Sequence, residues 1–343
     1  MRQVWIPRAG SPEVLELREA PDPLPAAGEV RIRVEASGVN FADIMGRLGI
    51  YPDLPAMPVV PGYEVAGRID AVGDGVETDW IGRDVLAMTR FGGYADVVCV
   101  LEAQAYARPE ELSVAEAAGL PVNYLTAFQL IEVMGSLRTG ETVLVHSAGG
   151  GVGIAAVQLA KRIGARVIGT ASASKHDFLK SLGVDECIDY TREDFEARVL
   201  DITHGRGVEL VLDAVGGKSF KKSYRSLAPT GRLGMFGISA AATGKRRSLT
   251  SLAVTLLGTP WLQFTPLALM NANKGVFGVN LGHLWEEQDR VSGWMETLLD
   301  YTRERSESRI VPVVAETFPL ERAAEAHHYI QDRRNIGKVL LIP

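Results

Sequence analysis

A glycine-rich turn in the middle of the chain carries the strongest chemical signal. Ala148, Gly150 and Gly153 follow the spacing G-x-G-x-x-G, with alanine at the first position. In that spacing the three positions form a tight turn, let the backbone approach a pyrophosphate, and pack a helix closely on a strand. We therefore interpret this segment, with the intervening Gly151 and Val152, as a dinucleotide-binding turn.

The elements on either side of the turn must position it. Residues 143–145 are a short uncharged run rich in valine, typical of a strand buried on both faces of a parallel sheet. Residues 154–163 predict a helix that Gly164 ends, and residues 166–170 predict a second strand. The order strand, turn, helix, strand predicts a right-handed crossover, with the phosphates at the N-terminus of the helix.

The segment after the second predicted strand indicates which dinucleotide binds. An NAD site usually has an acidic residue about 20 residues after the turn to hold the ribose 2′-hydroxyl. Here no acid precedes Asp177, and the hydroxyls of Ser172 and Ser174 and the charge of Lys175 suit a 2′-phosphate. Alternatively, Ser174 caps a helix that starts at Lys175, and the lysine is a solvated surface charge. Both interpretations can hold together, and we predict NADPH.

Composition is ordinary for a soluble globular enzyme, and the length of the chain suggests two domains or one large one. The chain has 343 residues, 46% of them hydrophobic and 23% charged, and a net charge of −6. This negative balance argues against a general nucleic-acid binder. The N-terminus lacks the apolar region of a signal peptide, and Cys99 and Cys187 are too few for a disulfide framework. We expect a cytoplasmic protein.

The hydrophobic periodicity changes along the chain. Residues 1–122 contain short alternating runs between Gly- and Pro-rich turns, which predicts a small antiparallel β domain. Over residues 123–300 helical patterns alternate with strands, which predicts a doubly wound parallel sheet. The chain then returns to short β runs around a helix. The sequence thus predicts an α/β fold, with residues 1–122 and 301–343 in one domain and residues 123–300 in the other.

Ordered motifs along the whole chain carry a family resemblance. They are Val39-Asn40-x-x-Asp43-x-x-x-Arg47-x-Gly49-x-Tyr51-Pro52, Pro61-Gly62-x-Glu64, Asn123-Tyr124-Leu125-Thr126-Ala127, Ala148-x-Gly150-Gly151-Val152-Gly153, Asp213-x-Val215-Gly216-Gly217 and Gly337-Lys338. The chain resembles the zinc-independent quinone oxidoreductase branch of the medium-chain dehydrogenase/reductase superfamily. Within that branch, residues 277–281 and an apolar insert at about 240–275 are similar to the vesicle amine transport protein 1 group.

The resemblance implies a GroES-like β domain joined to a Rossmann nucleotide-binding domain, and a homodimer formed through residues 277–281. It also implies the absence of zinc, because the cysteine position of zinc-dependent members falls within residues 39–41 and their histidine position is Tyr63. Zinc prefers Cys, His and carboxylate ligands in fixed number, which these positions cannot supply. The substrate would be a small quinone or α,β-unsaturated carbonyl.

Hydride reduction of such an acceptor needs hydrogen-bond donors where negative charge develops on oxygen. The resemblance places Asn40 and Tyr51 beside the nicotinamide, and Tyr63 is a further phenol or, equally, a packed core aromatic. We expect Asp43 and Arg47 to form a structural pair that orients this turn, with direct catalysis by Asp43 as the alternative. The proton is expected from solvent.

Further cofactor contacts are predicted from position along the chain. They are Asn123, Thr126, Tyr190, Val215, Gly216, Phe236, Gly237, Phe277, Val279 and Asn280. The last three belong to a dimer strand in an alternative interpretation. Lys338, a motif residue, is a further predicted cofactor contact or, alternatively, a surface lysine. We expect His146 to face the cofactor, and His327 and His328 to face solvent.

Two other functions stay open. The first is an enoyl-thioester reductase, because polyketide-synthase enoyl reductase domains have a similar Val-Asn-x-x-Asp…Tyr-Pro segment. The second is a nucleotide-binding regulatory or membrane-associated protein with little activity. Residues 249–270 contain no charge over 22 residues, and residues 245–247 before them are Lys-Arg-Arg. Because Pro260 and Pro266 disfavour a transmembrane helix, we predict an apolar flap at the active site or subunit interface, with peripheral membrane contact as the alternative.

Overall fold

The computed structural model describes residues 1–242, 249–258 and 264–343. Its N-terminal unit consists of short strands and two short helices. In chain order these are β1 (Arg2–Trp5), β2 (Glu16–Glu19), β3 (Glu29–Val39), α1 (Phe41–Arg47), β4 (Glu64–Val72), β5 (Asp84–Met88), β6 (Val97–Leu101), β7 (Ala105–Ala107) and α2 (Val114–Ala118). Alternate side chains of β3 are buried, whereas Arg31 and Arg33 point outward and share the Asp70 carboxylate. This period of two is the one expected for a half-buried strand.

The second unit is a parallel sheet with helices between its strands. In chain order its elements are α3 (Pro121–Phe128), β8 (Thr142–Val145), α4 (Gly151–Ile163), β9 (Arg166–Ala171), α5 (His176–Ser181), β10 (Glu186–Asp189), α6 (Phe195–Ile202), β11 (Val208–Asp213), α7 (Lys218–Arg225), β12 (Leu227–Met235), α8 (Leu249–Gly258), α9 (Pro266–Ala272), β13 (Gly275–Gly278) and α10 (Gln288–Arg303). The strand order is β10-β9-β8-β11-β12-β13, and every pairing is parallel. The order reverses between β8 and β11, as in a doubly wound sheet.

The chain then returns to the first unit through β14 (Val314–Pro319), α11 (Ala323–Gln331) and β15 (Lys338–Ile342). Strand β15 pairs with β14 and with β3, so that the N-terminal sheet runs β14-β15-β3-β4-β5-β7, with β6 also on β3. The sheet that begins near the N-terminus is therefore completed by residues from the far end of the sequence.

The predicted βαβ unit is confirmed. Residues 143–145 of β8 are fully buried, as a strand with helices on both faces must be. Helix α4 begins at Gly151, within the glycine turn, and Gly164 follows its last residue with a φ of 82°. Only glycine adopts this left-handed conformation without strain, which explains why the helix ends there.

The predicted apolar flap is divided between α8 and α9. Leu257, Leu267 and Met270 are among its large apolar side chains that are exposed. Residues 259–263 and the basic cluster at residues 245–247 lie outside the described residues. In the ranges that the structure describes, no helix combines the length and the apolar composition needed to cross a membrane.

Candidate active site

A cleft of about 1430 Å³ lies between the two units, where the strand order of the parallel sheet reverses. Ligands of open α/β sheets bind at this point. Most of the predicted site residues line the cleft, namely Asn40, Tyr51, Tyr63, Asn123, Thr126, Gly150, Gly151, Val152, Gly153, Ser172, Lys175, Tyr190, Val215, Phe236, Gly237, Val279, Asn280 and Lys338. Five predicted residues lie outside its walls: Asp43, Ala148, Ser174, Gly216 and Phe277.

The glycine turn forms one wall and has no room for side chains. A Cβ on Gly151 would lie 2.3 Å from Asn123 Nδ2, and a Cβ on Gly153 would lie 2.4 Å from the Ser147 carbonyl oxygen. Gly150 has an extended backbone and caps α4, so the first N–H groups of the helix belong to this wall. The turn therefore has the close backbone approach and the free donors that a pyrophosphate requires.

Three of the predicted residues support the walls from behind. Ala148 is fully buried, and a Cβ on Gly169 would lie 3.0 Å from its methyl carbon. The Phe277 ring lies 2.8 Å from the place of a Cβ on Gly234. Gly216 is buried and has a φ of 83°, which favours glycine. These positions shape the cleft without forming its surface.

Two cationic side chains, Lys175 and Arg333, lie near each other at the end of the cleft beyond β9. Lys175 is half-buried, and burial together with the nearby charge of Arg333 lowers the pKa of its ammonium. The Arg333 guanidinium lies 5.7 Å from the Tyr190 ring centroid and donates to the Tyr190 hydroxyl at 3.1 Å. Ser172 lines the same end, and its hydroxyl is 3.2 Å from that of Ser174. Within the described part of the chain, neither cation has a carboxylate partner.

The alternative interpretation of this segment, a cap and a surface lysine, is wrong. Helix α5 starts at His176, and the Ser174 hydroxyl bonds to Ser172 instead of capping the helix. The Lys175 stem packs on the glycine turn, because a Cβ on Gly149 would lie 2.9 Å from its Cδ. Lys175 is therefore part of the cleft wall.

Two phenols face the cleft from the N-terminal unit. The rings of Tyr51 and Tyr63 meet edge to face with centroids 6.2 Å apart, and Phe91 packs on Tyr63 at 5.3 Å. Burial raises the pKa of both phenols, and the nearby carboxylates of Asp53 and Asp43 raise that of Tyr51 further. Both hydroxyls therefore stay protonated at neutral pH. Tyr63 is a packed aromatic whose edge also reaches the cleft.

The Asn40 carboxamide is held at both ends. Its Oδ1 accepts a hydrogen bond from the Lys338 ammonium at 2.6 Å, and its Nδ2 donates to Glu64 Oε1 at 2.9 Å and to the Gly38 carbonyl oxygen at 3.4 Å. Lys338 and Glu64 also form an ion pair. Lys338 is only 3% exposed, so the alternative of a surface lysine is wrong. Asn40 lines the cleft, but its amide hydrogens already have acceptors within the chain.

Asp43 caps α1 and has no bond to Arg47. Its Oδ2 accepts from the Asn40 backbone N–H at 2.8 Å, and its Oδ1 accepts from the Gly62 N–H at 2.9 Å. Arg47 instead donates to the Gly10 carbonyl oxygen at 3.2 Å. The predicted Asp43–Arg47 pair is wrong, because the carboxylate instead accepts from the backbone N–H of Asn40, at the start of α1, and from that of Gly62, before β4. Burial raises the pKa of Asp43 to about 7.

His327 belongs to the core, and the prediction that it faces solvent is wrong. Its Nε2 lies 3.1 Å from the Tyr94 hydroxyl, which donates to Asp43 Oδ2 at 3.2 Å. Helical spacing places His327 on the buried face of α11 with Ala323 and Ala326. Burial lowers the pKa of His327 well below its usual value, so the imidazole is neutral.

His146 lines the cleft at the end of β8. Its Nδ1 lies 3.1 Å from Thr170 Oγ1, and its Nε2 lies 3.0 Å from Ser223 Oγ, which in turn donates to Asp213 at 2.7 Å. Burial lowers the pKa of His146, and the Asp213 charge opposes this shift. Both ring nitrogens are engaged by the chain itself, so His146 supports the wall.

The position that corresponds to the zinc of zinc-dependent relatives does not fit a metal. Asn40 and Tyr63 offer an amide and a phenol, and the Glu64 carboxylate is already paired with the Lys338 ammonium. Zinc prefers thiolate, imidazole and carboxylate ligands. Among the residues that the structure describes, no group of three or more His, Cys, Asp or Glu side chains could hold a metal ion.

Comparison with known proteins places this cleft in a family. Residues 26–110 match the alcohol dehydrogenase GroES-like domain, and residues 151–295 match the zinc-binding dehydrogenase family. The synaptic vesicle membrane protein VAT-1 homolog of Rattus norvegicus is 42% identical over 332 residues, which cover 96% of this chain and 80% of the relative. The chain belongs to the medium-chain dehydrogenase/reductase superfamily. Within the superfamily it is close to the VAT-1 homologues.

Solved structures of the superfamily share the fold. A mycobacterial protein complexed with NADPH matches with a TM-score of 0.85 and 32% identity, over 100% of both chains. A quinone oxidoreductase of Pseudomonas syringae matches at 0.84 and 32%, over 100% of this chain and 99% of the other. The CurK enoyl reductase matches at 0.83 and 29%, over 99% and 98%. The predicted family resemblance and the predicted fold are confirmed.

Glu64 and Arg333 belong to the surroundings of the cleft, although neither is a predicted site residue. Glu64 is part of the superfamily motif Pro61-Gly62-x-Glu64, which was a signal for a role near the cleft. Arg333 lies shortly before the motif Gly337-Lys338, and a basic residue beside a motif was the only sign of its position. Neither signal identifies the residue that Glu64 or Arg333 contacts, because Lys338 and Tyr190 are distant from them in sequence.

Proposed function

We propose that this protein is a zinc-independent, NADPH-dependent reductase that delivers hydride to a quinone or an α,β-unsaturated carbonyl. The pair of Lys175 and Arg333, which has no carboxylate partner among the described residues, is the observation that carries this proposal. The two charges lie close enough for Arg333 to lower the pKa of Lys175. A 2′-phosphate would relieve this repulsion, since a dianion between two cations is favourable.

The surroundings of this pair support NADPH over NADH. Ser172 follows the end of β9, where an NAD site would have an acid, and adds a hydroxyl donor. The first acid after β9, Asp177, is exposed and is not part of the cleft wall. Tyr190, held by Arg333, offers an aromatic face beside the same end. We expect this face to contact the adenine.

At the other end, the proposed chemistry depends on Tyr51. Bound NADPH would supply the hydride. The Tyr51 hydroxyl stays protonated at neutral pH and lines the cleft, so it can donate to the substrate oxygen as negative charge develops. Because the Asn40 amide hydrogens are bonded to Glu64 and Gly38, we assign the donor role to Tyr51 and a supporting role to Asn40. Solvent supplies the proton.

NADPH oxidation at 340 nm tests this function directly. The acceptors are 1,4-benzoquinone, 9,10-phenanthrenequinone, a 2-alkenal and crotonyl-CoA, each repeated with NADH and with a chelator. We expect turnover that prefers NADPH and is insensitive to the chelator. Preference for crotonyl-CoA over the quinones would select enoyl-thioester reduction, the alternative reaction. Binding of NADPH without turnover of any acceptor would contradict the proposal and favour a regulatory role.

We propose that the enzyme acts as a cytoplasmic homodimer formed through residues 277–281. Strand β13, which contains the first two residues of this segment, is the last strand of its sheet in the described ranges, and a sheet edge can pair with a second copy. Sedimentation equilibrium tests the dimer, and a monomer at micromolar concentration would contradict it. Flotation with anionic vesicles tests the alternative that the apolar side chains of α8 and α9 contact a membrane.

A further inference from the structure

A buried ion pair lies in the N-terminal unit, beside the cleft. Glu64 starts β4 and Lys338 starts β15, and their exposed fractions are 0% and 3%. Asn40, which is 7% exposed, completes the group by accepting from Lys338 and donating to Glu64. The charges thereby determine which end of the Asn40 carboxamide faces which partner. An inverted amide would place its NH₂ group against the ammonium and its oxygen against the carboxylate.

The same group is bonded to the nucleotide-binding unit in two places. The Gly337 N–H, next to Lys338, donates to the Gly149 carbonyl oxygen at 2.9 Å within the glycine turn. The Val122 N–H, in the first turn of α3, donates to Glu64 Oε2 at 2.7 Å. Asn123, the next residue, packs against Gly151 of the same turn. The ion pair thus connects Asn40 to the glycine turn by two separate paths.

Stability alone does not account for such a pair. The desolvation of two buried charges offsets most of their attraction, and apolar replacements of both partners are often as stable as the pair itself. The two charges instead contribute hydrogen bonds of defined direction. An error of about 1 Å in the relative position of reacting groups can slow a reaction about 100-fold.

We propose that Glu64 and Lys338 are positioning residues that hold the donor wall in register with the glycine turn and fix the Asn40 carboxamide. This inference rests on the proposed function for its kinetic consequence. Glu64 and Lys338 act through Asn40 and the turn, and neither is required to touch the substrate.

The decisive variant is Glu64→Gln/Lys338→Met, which removes both charges and leaves neither one unpaired. The matched control is Lys161→Met/Asp185→Asn, which removes an ion pair of the nucleotide-binding unit whose side chains are about one-third exposed. For the double variant of the buried pair we expect a thermal unfolding midpoint within a few degrees of the wild type. We expect the NADPH Kd to stay within about threefold, while kcat falls about 30- to 100-fold. The control pair should change none of these quantities.

A second measurement does not depend on any acceptor. Hydrogen exchange of residues 38–43 and 147–153 should become faster in the double variant and stay unchanged in the control, even if the wild type reduces no substrate. Lys338→Arg, which keeps the charge but changes its reach, provides a folded variant with the same expected loss of kcat. Wild-type turnover together with unchanged exchange in a folded double variant would overturn the proposal. A loss of NADPH binding equal to the loss of kcat would also overturn it.

Discussion

Two lysines at opposite ends of one cleft differ in whether the protein neutralises their charge. Lys338 is buried and bonded to Glu64 and Asn40, so its charge is neutralised within the protein. Lys175 is half-buried beside Arg333, and its only hydrogen bond in the described residues is to the Asn335 carbonyl oxygen. A neutralised buried charge is part of the architecture, whereas two neighbouring charges of the same sign indicate a ligand of opposite sign.

The largest expected effect is a difference in folding stability between variants of the two lysines. Lys338→Met leaves Glu64 buried without a cation, and loss of one partner of a buried pair costs about 3–5 kcal/mol. Lys175→Met removes a repulsion and should change the free energy of unfolding by less than about 1 kcal/mol. Urea unfolding followed by tryptophan fluorescence measures both. Equal losses for the two variants would show that the charges do not have different roles.

The next effect separates the two ends by kinetics. Tyr51→Phe removes the proposed donor to the substrate oxygen and should lower kcat about 100-fold, since one oxyanion donor is worth about 2.7–4 kcal/mol. The NADPH Kd should not change, because in the proposed binding mode the cofactor phosphates contact the glycine turn and the opposite end of the cleft. Stopped-flow turnover and fluorescence titration make the comparison, with Tyr63→Phe as the variant of the packed phenol. Unchanged kcat would remove Tyr51 from the mechanism.

A smaller effect concerns the choice of cofactor. Lys175→Ala and Arg333→Ala should each raise the KM for NADPH about 10- to 100-fold, since a hydrogen bond to a charged group contributes about 1.5–3 kcal/mol. The KM for NADH should stay the same in both variants, because NADH lacks the 2′-phosphate. Lys161→Ala, on an exposed pair of the same unit, serves as the control. An equal change for both cofactors would refute the phosphate assignment.

The smallest expected effect is a change of folding stability with pH, which arises from His327 and Asp43 near the Lys338 end of the cleft. Burial keeps His327 neutral in the folded protein at pH values below 6.5, its usual pKa, where the unfolded chain would bind a proton. The stability that the neutral imidazole contributes above pH 6.5 is therefore lost as the pH falls, by up to about 1.4 kcal/mol per pH unit. Asp43 acts in the opposite direction, because its raised pKa of about 7 favours the folded protein at low pH. The pH dependence is therefore a difference between two nearby groups.

His327→Gln isolates the histidine contribution. Relative to the wild type, the variant should gain stability as the pH falls from 6.5 to 5.5, because it no longer has a buried imidazole to protonate. Unfolding midpoints in urea at several pH values provide the measurement, with the exposed His204→Asn as control. A constant difference between variant and wild type over this range would show that His327 is not protonated on unfolding.

The two ends of the cleft also differ in how far the sequence predicts them. The glycine turn and Lys175 belong to one continuous βαβ segment, so local spacing was sufficient to place them. Arg333 joins the same end from the segment that follows α11, and no local pattern connects it to Lys175. The sequence therefore predicts which residues come together at this end of the cleft, except for Arg333, which arrives from a distant segment.

The reaction end could not be predicted in the same way, since the bonds of Asn40 to Glu64 and Lys338, and the bond of Asp43 to Gly62, join separate elements. Asn40 was expected as a free donor, but Glu64 and Lys338 engage its amide. Arg47 was expected to pair with Asp43 from helical spacing, yet the carboxylate satisfies backbone N–H groups instead. Tertiary partners decide such cases, and they are not encoded in the spacing of one segment.

The bond from Lys338 to Asn40 spans 298 positions of the chain, and this distance has a consequence for folding. Strands β3, β4 and β5 can associate early, but Glu64 then awaits its cation until the returning segment docks. Contacts between distant residues form slowly, and larger chains pass through intermediates. We expect the N-terminal unit to reach its native structure only together with the nucleotide-binding unit. Catalytic activity should therefore return in the last kinetic phase of refolding.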